Sequence, residues 1–490
     1  MNISQQLPYE LAQEFGIVVL GEEGDAIAVA TAPHMTVATL SAARHRLGKP
    51  LRTRSVDAEQ FRALLTTAYS SVVANAKSTI SSRSSDAVLP EAQHADLLST
   101  VTGDETSPAV RIVNELLREA LARGASDIHL DATEQGGRVR CRVDGVLGDV
   151  RDTDAATHAA MIARCKVLAT LDIAERRMPQ DGRIQVVVAG HRVDVRIATL
   201  PTQHGERAVL RLLDTSAARL DLSALGLSDA TLVALRDAVR MPHGLVLVTG
   251  PTGSGKTTTL YAAVSELDRE RLNVVSVEDP VEYALDRVAQ TQVNPRIELT
   301  FARALRSILR HDPDVIIVGE IRDRETAEIA IQASLTGHLV LASLHTNTAG
   351  AAITRLVDMG VEPFLLASSL RGVLAQRLVR QLCVHCRVAH PTTHAEAALL
   401  AGHAISGVAQ LYSATGCGQC NHTGYRGRMG LYRWLPVTAD IAQAIHARVP
   451  DVALEAAATA AGWPALATDA TRHLPGGATS ASEVLRVVTL

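Results

Sequence analysis

Four short runs between residues 244 and 345 are apolar at nearly every position: "GLVLVTG", "LNVVSVED", "DVIIVGE" and "HLVLASLH". A strand with one wet face alternates apolar and polar residues, whereas a strand covered on both faces reads as a continuous apolar run. Helical segments separate the four runs. The pattern from about Ser228 to Leu382 therefore predicts strands alternating with helices around a parallel sheet. Upstream, "SPAVRIVNELLREALARG" has helical spacing. Val110, Ile112, Val113, Leu116, Leu117, Ala120 and Leu121 share one face, Ser107 suits the cap, Pro108 the first turn, and Gly124 the end. Strand patterns follow in "DIHLDA", "RVRCRVDGVL", "RIQVVVAG", "HRVDVRIATL" and "RAVLRLLD". They predict a second α/β domain that ends near Leu225.

The remaining stretches are weaker in pattern. Residues Met1 to Tyr69 mix a short helix, "ELAQEFG", with alternation such as "AIAVAT", and read as a small α/β module. The Ser-, Thr-, Asp- and Ala-rich segment after it lacks apolar periodicity in its first half and predicts a flexible linker. The expected division is thus a module at 1–70, a linker at 71–106, an α/β domain at 107–225 and a larger one at 226–490. The last of these includes a cysteine-bearing segment at 383–433 and an alanine-rich helical tail. There is no internal repeat.

A chain of 490 residues is too long for one core. The net charge of −4 argues against a general nucleic-acid binder. The start, "MNISQQLPYELAQEFG", lacks a basic end followed by an apolar core. No apolar run reaches the roughly 18–20 residues needed to span a bilayer. A cytosolic protein is expected, with any membrane contact made through a partner or a surface patch. Cys141 and Cys165 stand alone and suit buried positions. Cys383-x2-Cys386 and Cys417-x2-Cys420 are two matched pairs about 30 residues apart, the ligand set of a tetrahedral Zn²⁺ site. Redox dithiols are the alternative.

One motif narrows the chemistry. "GPTGSGKT" follows an apolar strand and opens a helix, the context of a phosphate-binding loop. Gly250, Pro251, Thr252, Gly253, Ser254, Gly255, Lys256, Thr257 and Thr258 are the candidate ATP contacts, with Lys256 on the β/γ oxygens and Thr257 on Mg²⁺. "DVIIVGE" places Gly319 where an Asp usually stands before the acidic residue, which leaves the metal's outer ligand open. Glu320 and Glu278 both end apolar strands, and either could polarise the attacking water; a helix cap or surface ion pair is the plainer reading. His338 and His345 flank one strand and could report the γ-phosphate. Arg196, Arg211, Arg306, Arg310 and Arg322 are candidates for transition-state charge stabilisation.

Together these residues resemble the hexameric ATPases of type II secretion and type IV pilus assembly. "GASDIHLDA", "LDIAERRMPQDGR", "PTQHGERAVLRLLD", "PHGLVLVTGPTGSGKTTTLYA", "VEDPVEY", "ILRHDPDVIIVGEIRD", "LTGHLVLASLHTN" and "LAQRLVRQLC" agree in order from Ser107 onward. The resemblance implies a homo-hexamer with a PAS-like domain ahead of a RecA-like P-loop motor domain. It makes Glu278 the catalytic carboxylate of an aspartate box and Glu320 an atypical Walker B acid. His338 and His345 fall in a histidine box, and Arg196 and Arg211 reach the nucleotide from the preceding domain. His311 and Ala342 depart from the commoner residues. The tetracysteine segment resembles the secretion and pilus-assembly ATPases and separates them from the pilus-retraction ATPases, while the short first module resembles the secretion branch more than the pilus-assembly branch. That branch implies residues 1–70 docking on the cytoplasmic domain of an inner-membrane platform protein, with acidic phospholipid as a further contact. The expected function is ATP hydrolysis that powers pseudopilus assembly and protein export at the inner face of the inner membrane. Pilus assembly, a nucleic-acid motor and a non-hydrolysing scaffold remain as alternatives.

Overall fold

The structure is a computed structural model. It describes residues 108–188, 191–214 and 221–488, together with parts of 12–64 and residues 95–96. The chain divides into two compact units, Met1–Glu91 and Ala92–Leu490. The expected "ELAQEFG" helix, the linker and the Ser107 cap fall almost wholly outside the described residues.

In the first unit β1 (Ile17–Glu23) pairs antiparallel with β2 (Ala26–Thr31), and β3 (Leu51–Ser55) joins β2 in parallel. Ile17, Val18, Ile27, Val29, Leu47 and Phe61 are buried together, a small core of its own.

The second unit is built on two seven-stranded sheets. The first takes β4 (Ala95–Asp96), β5 (Ala125–Thr133), β6 (Gly136–Val143), β7 (Val146–Thr153), β8 (Gln180–Val188), β9 (His191–Thr202) and β10 (Gly205–Asp214), in the order β4-β8-β9-β10-β5-β6-β7. Helices α1 (Pro108–Ala122) and α2 (Ala155–Leu168) pack on it. Val113, Leu116, Leu117 and Ala120 of α1 are buried against Ile128, Leu130 and Val139, as the helical spacing predicts.

Two features of this lobe differ from the sequence reading. "RVRCRVDGVL" is a hairpin and not one strand: Asp144 and Gly145, at φ +49° and +83°, form the two-residue turn between β6 and β7. Asp-Gly is a favoured pair for a turn that needs positive φ at both positions. Helix α2 has no clean apolar stripe, because His158, Arg164 and Lys166 are among its buried residues. The Lys166 ammonium is fully buried, pairs with Glu206 at 2.5 Å and donates to the Glu175 carbonyl at 2.6 Å.

The second sheet contains β11 (Gly244–Thr249), β12 (Val274–Glu278), β13 (Val288–Gln292), β14 (Val315–Val318), β15 (Leu339–Leu344) and β16 (Leu370–Leu382). After β16, β17 (Val388–Pro391) and β18 (Gln410–Ser413) form a separate ribbon, and β19 (Tyr425–Pro436) returns to the sheet. The order is β13-β12-β14-β15-β11-β16-β19, parallel except for β19 against β16. Alternate residues serve different cores. Leu245 and Leu247 pack with α5 (Phe301–Ile308), α6 (Arg324–Leu335) and α7 (Ala349–Asp358), whereas Val246 and Val248 pack with α3 (Asp229–Val239) and α4 (Lys256–Ser265). This double cover explains the unbroken apolar runs. Among the described residues, no helix is long and apolar enough to cross a membrane.

The chain ends in helices, the last of which (Ala481–Val488) returns to β16. Its Glu483 is 1% exposed and accepts from the Arg380 side chain at 2.8 Å, the Arg380 backbone N–H at 3.1 Å and Arg486 at 2.6 Å. Burial alone would raise this carboxyl, but the hydrogen bonds from Arg486 and Arg380 outweigh it and hold the group at about 2. A carboxyl depressed in the fold contributes stability above its unfolded value, near 4.3, and loses it as pH falls toward the folded one. Glu483→Ala should cost about 3 kcal/mol or more, since two guanidinium groups lose their anion. Thermal melts from pH 5 down to pH 2 check this. The wild type should lose stability steeply over that window, and the variant less so.

Candidate functional site

In a parallel sheet the carboxyl ends of the strands share one edge, and ligands bind there. The loop Gly250–Gly255 leaves β11 at that edge and turns into α4 at Lys256. The loop hugs β16: a Cβ on Gly250 would lie 2.4 Å from the Gln376 carbonyl oxygen, so no larger residue fits. Gln376, 2% exposed, fastens the loop from below. Its amide donates to the Ser254 carbonyl at 2.6 Å and accepts from Thr259 Oγ1 at 2.8 Å. Sequence reading quoted the Gln376 motif without giving this residue a task, because the contact spans more than a hundred residues.

Three of the expected residues meet at the loop. Lys256 Nζ donates to the Gly250 and Pro251 carbonyls at 2.9 and 3.1 Å and lies 3.4 Å from His345 Nδ1. His345 Nε2 lies 3.0 Å from Glu320 Oε2. Glu320 Oε1 accepts from Arg322, which also donates to Asp279 at 3.1 Å. Lys256, His345, Glu320, Arg322 and Asp279 thus form one continuous polar line. Burial lowers the Lys256 ammonium to about 8, against the pull of Glu320, which raises it. Thr257 and Thr258 are half-buried in the first turn of α4.

Glu278 has a different environment. It ends β12 at 3% exposure, and its donors among the described residues are neutral: Tyr261 Oη, Ser276 Oγ at 2.5 Å and Gln290 Nε2 at 3.1 Å. The structure also accounts for Gly319. A Cβ there would lie 3.2 Å from Glu278 Cα and 3.3 Å from the Val277 carbonyl oxygen. A carboxylate at 319 would crowd Glu278 at the same edge, so the missing acid and the buried one are a single arrangement.

Other candidates are not brought to the loop. His338 precedes β15 and His345 follows it, so the two stand at opposite edges of the sheet, about 20 Å apart at roughly 3.3 Å per residue. His338 Nδ1 lies 2.9 Å from the Ala333 carbonyl and closes the end of α6. Arg306 pairs with Glu325, and Arg310 donates to the Arg306 carbonyl at 2.8 Å. Arg211 is held by Asp127 within its own sheet at 2.9 Å. Arg196 crosses to the second sheet and donates to the Val281 carbonyl at 3.1 Å and to Glu282 at 3.0 Å. Arg183, Arg196 and Arg211 line a cleft of about 500 Å³ that Pro280 and Gln292 close from the other side.

The four paired cysteines converge. Cys383, Cys386, Cys417 and Cys420 place their sulfurs within 4.8 Å of one another, with 3.9 Å between Cys383 and Cys417 and 3.8 Å between Cys386 and Cys420. Four thiolates about 2.3 Å from one ion sit about 3.8 Å apart, so the sulfurs have the spacing of a closed tetrahedral site. Burial raises the Cys420 thiol, but the Cys417 and Gly424 N–H groups, at 3.1 and 3.2 Å, more than reverse this and favour its thiolate. Cys141 and Cys165 are separately buried in the first sheet's core.

Comparison with known proteins agrees with this architecture. The family described as Type II/IV secretion system protein matches residues 102–486, and a domain family of GSPII protein E matches residues 6–69. Type II secretion system protein HxcR of Pseudomonas aeruginosa is 48% identical over 488 residues, 98% of both chains. Type II secretion system protein E of Aeromonas hydrophila is 44% identical over 487 residues, 98% of this chain and 96% of its own. Type II secretion system ATPase E of Vibrio cholerae is 49% identical over 395 residues, 81% and 78% of the two chains. Among solved structures, the Legionella pneumophila ATPase DotB aligns with a TM-score of 0.59 at 20% identity, over 77% of this chain and 95% of its own. The pilus retraction motor PilT with bound ADP aligns at 0.51 and 25% identity, over 76% and 96%. The fold is therefore RecA-like, with a second α/β lobe ahead of it. With its matched family spanning both sheets, the loop and the cysteine cluster, the chain belongs to the type II/IV secretion system protein family.

Proposed function

We propose that the chain is a hexameric ATPase that drives pseudopilus assembly and protein export in type II secretion, acting at the inner face of the inner membrane. The observation that carries this reading is the hydrogen-bonded line from Lys256 through His345 to Glu320 at the mouth of the phosphate-binding loop. Secretion is favoured over pilus assembly by the match of residues 6–69 to the GSPII protein E domain. In this reading residues 1–70 dock on the cytoplasmic part of an inner-membrane platform protein. The units 107–225 and 226–490 form the ring.

The division of labour follows from the two carboxylates. Backbone N–H groups of Thr252–Thr258, along the loop and the start of α4, cradle the phosphates. Lys256 swings its ammonium from the loop carbonyls onto the β/γ oxygens. Thr257 and Glu320 are the groups that hold Mg²⁺, whose charge offsets that of the phosphates. Glu278, anchored by neutral donors, takes the proton of the attacking water. His345 bridges Lys256 and Glu320 and registers a change in either. Arg196 and Arg211 line the cleft between the lobes, paired there with Glu282 and Asp127, and would reach a nucleotide only by leaving those partners. His338, at the far edge, takes no part in its own subunit's chemistry. The four cysteines hold Zn²⁺, which ties the loop after β16 to the approach to β19.

Three outcomes are expected. Lys256→Ala should abolish turnover, with at least a tenfold loss, while Glu320→Gln should keep ATP bound and lose hydrolysis. Wild-type turnover in Lys256→Ala would overturn the reading. The second concerns pH. A lysine held at about 8 is partly neutral above that value, and bound phosphates favour the ammonium. ATP affinity should therefore fall as pH rises past about 8, and binding at pH 8.5 should take up a proton. Calorimetry in buffers of different ionisation enthalpy measures that proton directly. Third, metal analysis should find about one zinc per chain. Chelation should lower the melting temperature while ATP-analogue binding persists, because the loop lies outside the cluster.

A further inference from the structure

Glu278 is more tightly held than a carboxylate at a strand end needs to be. One oxygen accepts from the Tyr261 hydroxyl, the other from Ser276 and Gln290. Tyr261 is 2% exposed and lies on α4, the helix that starts at Lys256. Burial and the neighbouring Glu278 charge both push its hydroxyl upward, so it remains a donor throughout the working pH range. Its ring meets that of Tyr283 edge-on, with centroids 4.7 Å apart. Gln290 on β13 closes the arrangement. Its amide nitrogen lies 3.1 Å from Glu278 Oε1, 3.2 Å from Tyr261 Oη and 3.2 Å from the Tyr283 carbonyl, and its oxygen accepts from Leu285 N–H at 2.7 Å. The loop bearing Tyr283 also carries Val281 and Glu282, the two acceptors of Arg196 from the preceding lobe.

We propose that Tyr261 and Gln290 are positioning residues for Glu278, and that the Val281–Leu285 loop ties this clamp to the preceding lobe through Arg196. The inference rests on the ATPase reading above. Tyr261 and Gln290 hydrogen-bond the carboxylate and lie outside the Gly250–Gly255 loop, so they act through Glu278. The hydroxyl fixes which oxygen faces the site, and α4 sets that hydroxyl's height relative to Lys256. Gln290 is the only described side chain that hydrogen-bonds Glu278, Tyr261 and the loop at once. A displacement of Arg196 pulls on Glu282 and Val281, one and two residues from Tyr283. The carboxylate's aim is thereby linked to lobe position by contacts that each have a stated partner.

The test uses the full-length chain. Tyr261→Phe keeps the ring against Tyr283 and removes only the hydroxyl; Gln290→Leu removes the amide. Each should lower kcat about tenfold or more, as expected for a lost hydrogen bond to a charged group, with KM for ATP and the Kd of a non-hydrolysable analogue unchanged within about twofold. A purely structural role would instead lower the melting temperature and spare kcat well below the melt. Wild-type kcat in both variants would overturn the proposal, provided Lys256→Ala is inactive; if Lys256→Ala is active, the ATPase reading itself fails. Glu282→Gln tests the link to the lobe. It should lower kcat alone, and combined with Tyr261→Phe it should add little to the loss already present. Fully multiplicative losses would separate the loop from the clamp and overturn that part.

Discussion

A sheet buried on both faces leaves its polar chemistry only one place to go. The strand faces of β11, β12, β14 and β15 are closed to water, and a charge buried there would cost several kcal/mol unless paired. Lys256, Glu278, Glu320 and His345 therefore gather where strands become loops, at the carboxyl edge. The Gly250–Gly255 loop leaves the sheet at the same edge. It is wedged against β16 so closely that Gly250 admits no Cβ, and Gln376 pins it from inside the fold.

Within that edge the two carboxylates are kept apart by environment. Glu320 faces the Lys256 ammonium and the Arg322 guanidinium, with the His345 imidazole beside it, so its charge is matched by the lysine and the arginine. Glu278 lies among hydroxyls and an amide, where hydrogen bonds hold it without neutralising it. Groups of one chemical type set in contrasting surroundings take different tasks. Gly319 makes the contrast possible by leaving room beside Glu278.

The lobes of the second unit meet through polar contacts. Arg196 reaches Glu282 and the Val281 carbonyl, and Asp144, at the tip of the β6–β7 hairpin, accepts from the Gly427 N–H at 2.8 Å and faces Arg428 at 3.6 Å. Partly exposed ion pairs contribute about 0–1 kcal/mol each and weaken with salt. Contacts of that strength fix a geometry without locking it, which suits the proposed link between lobe position and Glu278 through Arg196. The Asp144 contact falls beside the cysteine segment, so that segment braces the preceding lobe as well as its own strands.

Much of this was legible in the chain. Unbroken apolar runs indicated the parallel sheet, because double burial removes the need for polar positions. "GPTGSGKT" indicated the candidate phosphate loop, because its glycine, lysine and threonine spacing is a local pattern that is readable without knowing that β16 also excludes a side chain at Gly250. The cysteine pairs indicated one cluster, because each CxxC brings two sulfurs together within a turn. What escaped the sequence depends on distance through space. Helix α2 hid its register by burying Lys166 and Arg164, whose partners and packing come from elsewhere in the fold. The hairpin at Asp144 was missed although its turn pair was visible. His338 and His345 looked equivalent in the sequence, yet a strand of six residues sets them at opposite edges of the sheet. The roles of Gln376, Tyr261 and Gln290 come from side-chain contacts across the sheet, which no local pattern encodes. The sequence by itself determined the strands, the loop and the two CxxC pairs, since each is fixed by residues a few positions apart. Only the tertiary structure decided which side chains meet at the carboxyl edge, since packing brings together residues as far apart along the chain as Lys256 and His345.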